Sequence, residues 1–328
     1  MDNNQIKLDN LDKKILYELD CNSRQPSSQI ARKLRISRDV VNYRIKKLVE
    51  AGIITKFIAI VNPIKFGYYT FKTYLKLENK KERIDAFVNF FSKDKFVWWV
   101  ATCEGKWDLI FAIFAKDVVD AYNKEIELLK DFHDIIITKE NTIMVDLKIY
   151  RKRYLTNKET EALLYAGKPD DQQLKKEELE LLKLIANNAR MPVVEMARIL
   201  KSTPMKVIYK LKDFEKRKII LGYRILVDLN KLGKEFFKNF IYLKSLTPER
   251  EKSLMTFCSQ QHNIVYYIRG IGSWQLELEF EVDNYQHYNK IMNQIREQFS
   301  DIVRNVEFVL IQKEHKYIWM PESYEAYQ

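Results

Sequence analysis

Ser27–Leu48, SSQIARKLRISRDVVNYRIKKL, reads as a short helix, a tight turn at Arg35-Ile36 and a longer basic helix. Ser27 or Ser28 caps the first helix, whose apolar stripe is Ile30, Ala31 and Leu34. Ser37 caps the second by offering its hydroxyl to an orphan backbone N–H. Val41, Ile45 and Leu48 follow at helical spacing and form one buried seam. The opposite face carries Arg38, Asp39, Asn42, Tyr43, Lys46 and Lys47. A rigid rod with an apolar back and a front of amide, guanidinium and ammonium groups has the chemistry needed to enter a major groove.

Upstream, Leu11–Asp20 is an amphipathic helix with Leu11, Ile15, Leu16 and Leu19 on one side. Downstream, Gly52 ends the basic helix where a left-handed residue is wanted, and Ile53–Asn62 is a strand. A different pattern then begins. Phe71–Leu77 is a strand, Lys80–Phe91 a helix, and Phe96–Thr102 and Trp107–Phe114 are strands joined across Glu104-Gly105-Lys106. Asp117 caps a helix to Phe132, and Ile135–Ile149 is a last long strand. The order β-α-β-β-α-β is that of a split ferredoxin-like sandwich.

The whole order then repeats. A shift of 166 aligns Arg24 with Arg190, Pro26 with Pro192, Ala31-Arg32 with Ala197-Arg198, Tyr43 with Tyr209, Ile53-Ile54 with Ile219-Ile220 and Gly67 with Gly233. The second basic helix opens on Thr203-Pro204, with Val207, Leu211 and Phe214 as its seam. The second α+β unit follows: strand Phe237–Leu243, a helix from Pro248, strands Ile264–Arg269 and Trp274–Val282, a helix capped by Asp283, and strand Ile302–Gln312. Gly272-Ser273-Trp274 matches Gly105-Lys106-Trp107 at a shift of 167. Lys152–Gln173 joins the halves as an exposed linker, with a short helix over Lys158–Leu164 capped by Thr156 or Asn157.

Composition narrows the function. With 46% hydrophobic residues the 328-residue chain can bury several cores. It has no apolar run long enough to span a bilayer, and MDNNQIKLDNLDKK lacks the core of a signal peptide, so a cytoplasmic protein is expected. Cys21, Cys103 and Cys258 lie far apart, as do His133, His262, His287 and His315, so neither metal nor other cofactor is expected. Residues 1–66 hold 13 Lys/Arg against 7 Asp/Glu and residues 174–233 hold 14 against 7, while the rest of this +11 chain is slightly negative. Positive charge confined to the two helix-turn-helix segments points to a polyanion partner.

At this point the residues resemble a known family. The run from Leu8 to Gly67 has an LD-x-x-D-x-x-I-L opening, an S-x-x-x-V-x-x-R-I-x-x-L third helix and a G-I-I strand entry. It is similar to the N-terminal region of leucine-responsive regulatory protein/AsnC-type (feast/famine) regulators. The resemblance implies an α+β chain of two winged helix-turn-helix DNA-binding units, each followed by a ferredoxin-like βαββαβ ligand and assembly domain. The expected bounds are 1–66, 67–151, a linker at 152–173, 174–233 and 234–328. It further implies transcriptional regulation on double-stranded DNA, self-association through the ferredoxin-like domains, and response to a metabolite such as an amino acid. The second half departs from the pattern: Glu178 stands for Asp12, Lys210 for Arg44, Ile208 for Asn42, Lys218 for Gly52 and Gln275 for Asp108.

The expected DNA-facing residues are Ser37, Arg38, Asn42, Tyr43, Arg44, Lys46 and Lys47 in the first unit. In the second they are Thr203, Lys206, Tyr209, Lys210 and Lys212. Arg44 either contacts phosphate or pairs with an acid such as Asp12. Gly105, Asp108 and Gly272 either line an effector pocket or simply build tight hairpins. Trp98, Trp99, Trp107 and Trp274 read as sheet and interface packing, and the aromatic tail EHKYIWMPESYEAYQ as a docked terminus. The competing readings are a sirohaem-decarboxylase-like enzyme, for which only His262 and Arg269 are suitably placed, and an amino-acid-binding assembly protein with vestigial helix-turn-helix units. The expectation is a regulator, not an enzyme.

Overall fold

Local caps set most of the helix starts. In the computed structural model, which describes residues 8–170, 172–320, 322 and 324, α1 (Asn10–Cys21) begins in a reciprocal box between Asp9 and Asp12. The first seven residues and parts of the tail lie outside the described residues. Helix α2 (Ser27–Leu34) follows Pro26 without a side-chain cap, so neither Ser27 nor Ser28 plays that part, and it ends on Arg35 in the left-handed region. Ser37 Oγ accepts from Val40 N to start α3 (Arg38–Glu50), and Gly52, at φ 67, turns the chain into β1 (Ile54–Val61). The α+β unit follows as β2 (Tyr69–Leu77), α4 (Lys81–Lys93), β3 (Val97–Gly105), β4 (Leu109–Ala115), α5 (Val118–Leu129) and β5 (Ile136–Ile149).

The connector differs from its sequence reading. It holds no helix at Lys158–Leu164; Leu163–Tyr165 form a short strand, β6, on the end of β5, and Asn157 sits at φ 53. Nor is the stretch a solvated tether. Lys152, Arg153 and Tyr165 are buried, and Arg153 donates to the carbonyls of Ser259 and Gln261. A polar composition suggested exposure, but these long side chains find carbonyl and carboxylate partners inside.

The same element order then recurs. Helices α6 (Lys176–Asn187), α7 (Val193–Ile199) and α8 (Pro204–Lys216) lead into β7 (Ile220–Val227). After them come β8 (Glu235–Leu243), α9 (Pro248–Gln260), β9 (Ile264–Ile271), β10 (Leu276–Val282), α10 (Tyr285–Gln298) and β11 (Val303–Tyr317). Thr203 and Thr247 cap α8 and α9. The cap of α10 is Asn284, one residue beyond the expected Asp283, whose carboxylate is taken by Lys234 and His287.

The two halves are locked to one another. Strands β1 and β7 pair antiparallel, with Ile58 opposite Arg224. Those two positions are equivalent at the shift of 166, so a pseudo-twofold axis passes between them. The surrounding hydrogen bonds are reciprocal. Ser23 N donates to Tyr223 O and Ala189 N to Phe57 O; Asn62 N donates to Ile219 O and Asp228 N to Ile53 O. Arg24 Nη1 reaches Ala189 O at 2.7 Å, and Arg190 Nη1 reaches Ser23 O at 2.8 Å. This is the self-complementary pattern of a twofold dimer, realised within one polypeptide.

The α+β units join in the same way. In each, the sheet order is fourth strand, first, third, second. The edge strand β3 pairs with β11 and the edge strand β9 pairs with β5, so eight of the nine strands in this sheet close into an antiparallel barrel. Closure removes four edges that would otherwise present unpaired N–H and C=O groups. Helices α4 and α5 cover one outer face over Phe87, Phe91, Phe111 and Leu128; α9 and α10 cover the other over Phe237, Phe280, Tyr288 and Met292.

Gly105 and Gly272 sit where the half-sheets join. A Cβ on Gly105, at φ 124, would stand 2.8 Å from Phe308 O on β11; one on Gly272 would meet Thr142 Cγ2 at 2.7 Å and Asn141 O at 2.9 Å on β5. Gly105→Ala is therefore expected to destabilise the chain by about 1–3 kcal/mol, read as a lowered thermal midpoint. An unchanged midpoint would mean that this junction yields freely.

Candidate nucleic-acid interface

Helix α3 is held from behind by Val41, Ile45 and Leu48, which share a core with Ile15, Leu16 and Leu19 of α1 and Ile30 of α2. Its outer face leaves Arg38, Asn42, Tyr43, Lys46 and Lys47 exposed, with Tyr43 at 63%. Among the described residues, Arg38 has only Asp39 at 3.9 Å and Lys46 only Glu50 at 3.6 Å as ionic neighbours. Exposed pairs at such distances contribute little and exchange readily for phosphate.

Arg44 is different. Its Nη1 lies 2.6 Å from Asp9 and 3.0 Å from Asp12. The hydrogen bond to Asp9, then that to Asp12, raises its already high pKa. Of the two roles read for Arg44, the structure realises the internal pair, which ties α3 to the start of α1.

On α8, Val207, Leu211 and Phe214 face inward, while Lys206, Tyr209 and Lys212 are exposed, Tyr209 at 72%. Thr203 accepts from Lys206 N at 3.3 Å. Lys210, the counterpart of Arg44, pairs with Glu177 at 3.2 Å. Both turns before these helices use a left-handed basic residue, Arg35 at φ 56 and Lys201 at φ 48. Met205 and Ile208 are also exposed, so the second rod presents a more apolar front than the first.

Much of the positive charge in these segments is used internally. Arg24 and Arg190 bind carbonyls across the pseudo-twofold; Lys33 pairs with Glu18, Arg217 with Asp213, and Lys231 donates to Ala51 O. Arg224 binds Asp20 through Nε at 2.9 Å and Nη2 at 3.0 Å. Charge counting does not separate these from Arg38, Lys46, Lys47, Lys206 and Lys212, which remain accessible.

The contacts of Gly105, Asp108 and Gly272 account for all three without a ligand. Asp108 accepts from Leu77 N at 2.8 Å and from Lys76 Nζ at 2.8 Å. Gln275, its counterpart, accepts from Leu243 N at 2.9 Å. An amide does the same work as the carboxylate, so the shared role is to pin a hairpin to the neighbouring strand. His262 is held by Asn157 and Glu159, and Arg269 by Asp146 and Glu251. Trp98 and Trp99 are both buried, where strand alternation predicts one in and one out; a register shift in β3 between Val97 and Trp99 turns both inward. The tail docks: Trp319 and Met320 are buried, and Tyr324 lies 4.9 Å from Phe66.

Among the described residues no helix is long and apolar enough to cross a membrane. Residues 8–55 match the winged helix-turn-helix DNA-binding family model. An HTH-type transcriptional regulator of Pyrococcus furiosus is 49% identical over 61 residues, which are 19% of this chain and 41% of that protein. The chain thus spans less than half of that relative. A similar regulator of Pyrococcus horikoshii is 26% identical over 144 residues, 44% of this chain and 90% of the relative. The HTH-type transcriptional regulator Ptr1 of Methanocaldococcus jannaschii is 32% identical over 111 residues, 34% of this chain and 74% of the relative. Along its whole length the fold is similar to the crystal structure of the siroheme decarboxylase NirDL, with TM-score 0.61, 13% identity, and coverage of 94% of this chain and 93% of that one. At that identity the likeness is one of fold alone. The chain belongs to the HTH-type transcriptional regulators.

Proposed function

We propose that this protein is a sequence-specific regulator of transcription that binds double-stranded DNA through α3 and α8. In this reading it is a tandem duplication whose halves form a pseudo-dimer. The observation that carries the reading is the reciprocal hydrogen bonding about Ile58 and Arg224, which relates two capped, outward-facing basic helices by one pseudo-twofold axis. Dimeric regulators use such symmetry to meet half-sites one helical turn, about 34–36 Å, apart. Arg38, Asn42, Tyr43, Lys46 and Lys47 face one half-site, with Ser37 at the helix start; Thr203, Lys206, Tyr209 and Lys212 face the other. Arg44 and Lys210 act by bracing the rods. Because Ile208 replaces Asn42, the first half-site is read more strictly than the second. Titration of duplex DNA at two salt concentrations tests this. A steep loss of affinity with salt is expected from counterion release, and weak binding indifferent to salt would refute it.

Self-association of whole chains fits the outer side of α5. Val119, Tyr122 and Ile126 are exposed there, whereas their counterparts on α10 are Gln286, Asn289 and Asn293. The stretch 116–131 carries slightly more acid than base, so second copies of a +11 chain can meet there without repulsion. A second functional reading, a sirohaem-decarboxylase-like enzyme, is favoured by the whole-chain likeness to NirDL. A saturable change in the absorption spectrum of sirohaem on addition of the protein would support it.

A further inference from the structure

The barrel interior is charged. Glu277, Glu279 and Glu281 alternate along β10 and all point inward, against Lys72 of β2, Lys238 of β8 and Lys152 of the connector. Glu277 pairs with Lys72 at 2.8 Å and with Lys238; Glu279 pairs with Lys238 at 2.6 Å; Glu281 pairs with Lys152 at 2.7 Å. These three carboxylates are matched by three ammonium groups. Glu314 of β11 is the fourth carboxylate. It accepts from Trp99 Nε1 at 2.7 Å, and among the described residues no Lys, Arg or His lies within ion-pair distance of it.

Glu314 also borders open space. Its carboxyl is crowded by neighbouring side chains, yet the residue as a whole is exposed, because it lines two adjoining pockets that share Tyr266, Glu314 and Tyr317. The first is walled by Trp98, Tyr317 and Trp319, whose rings stand 4.7 to 6.2 Å apart. Trp98 and Trp319 are 94% and 97% buried, and among the described residues their indole N–H groups have no well-aligned acceptor, Trp319 having only Tyr317 beside it. A buried donor without a partner keeps the cost of its lost hydration.

We propose that this cavity is a binding site for a small organic ammonium ion bearing an oxygen, such as an amino alcohol, with its cation between Glu314 and the ring faces and its oxygen on an indole N–H. The ammonium supplies the positive charge that Glu314 lacks, and aromatic faces attract cations. Binding tightens as the pH rises through about 7: burial pushes the Glu314 carboxyl up to about 7, and only its ionised form attracts the cation. The groups facing it are Trp99, Glu279, Glu281, Lys152, Arg224, Tyr266 and Tyr317.

The test is titration of the full chain with ethanolamine, followed by tryptophan fluorescence, with n-butylammonium and propionate as probes lacking the oxygen or the cation. Saturable change with ethanolamine, weaker change with n-butylammonium and none with propionate are expected. Glu314→Gln should lower ethanolamine affinity at least about tenfold, the factor set by a single charge-assisted hydrogen bond, and Trp98→Phe should lower it while keeping the ring. Melting curves verify that both variants fold. No saturable response in the millimolar range, or equal affinity in Glu314→Gln, overturns the proposal. Neither outcome bears on DNA binding, which rests on other residues.

Discussion

Asn42→Ala is expected to weaken binding to a duplex selected by the protein itself by about 1–3 kcal/mol, the range for one base-reading side chain, and to relax the sequence preference of one half-site only. Asn42 is an amide on the exposed face of α3, able to pair bidentately with an adenine edge. Ile208→Ala, at the matching place on α8, should change affinity little, because an aliphatic side chain offers no hydrogen bond to lose. Charge reversal at Arg38 and Lys46 should weaken binding on every sequence and flatten the salt dependence by about one unit of slope for each phosphate left without its cation. None of these side chains belongs to the core behind α3, so melting temperatures should stay near that of the parent. Fluorescence anisotropy at several salt concentrations gives all three readouts. Loss of specificity in Ile208→Ala equal to that in Asn42→Ala would refute the unequal half-sites, and wild-type binding by the charge-reversed protein would refute the interface.

The second large effect is expected on stability. Asp20 is wholly buried on α1, where it meets Arg224 of β7 and accepts from Lys152 N at 2.7 Å. Arg151 Nη1 donates to its carbonyl at 2.9 Å. One carboxylate thus ties the first helix to the opposite half and to the connector. Asp20→Ala leaves the Arg224 guanidinium buried without a counter-charge, and such losses cost about 3–5 kcal/mol. Burial alone would raise the Asp20 pKa, but Arg224, then Lys152 and Arg151, hold it below its ordinary value. The folded form therefore binds its proton less readily than the unfolded chain. The stabilisation is complete above the ordinary aspartate range and is lost as the pH falls through the depressed value. Urea denaturation of parent and variant at pH 7 and in acid should show a wide gap that narrows on acidification. A gap independent of pH would mean that packing, not charge, is what the substitution removes.

Much of this architecture is legible from residues that act locally. Ser37 and Asp117 cap where the sequence says they should, and α8 opens behind Thr203 as read, because a cap spans only two or three residues. The repeat anchored on Arg24 and Arg190 is visible too, but not that each arginine binds the other half; their equal position in the repeat is the one signal that leads there. What stays hidden depends on partners distant in sequence. The alternation of LELEFEV in β10 has the look of a strand with one wet face, yet its glutamates are enclosed by the opposing half of the barrel. Asp108 cannot be told from a ligand-binding acid until Gln275 is seen in the same role. Arg44 stands between two roles until the positions of Asp9 and Asp12 are known.

The reciprocal arginine bonds across Ile58 and Arg224 have a consequence for dosage. A regulator assembled from separate subunits falls apart on dilution, and its operator occupancy then rises with the square of its concentration. Here both halves are born on one ribosome and cannot separate. In the proposed docking through α3 and α8, occupancy by a single molecule follows the first power of its abundance, and no defective or paralogous subunit can enter to spoil the pair.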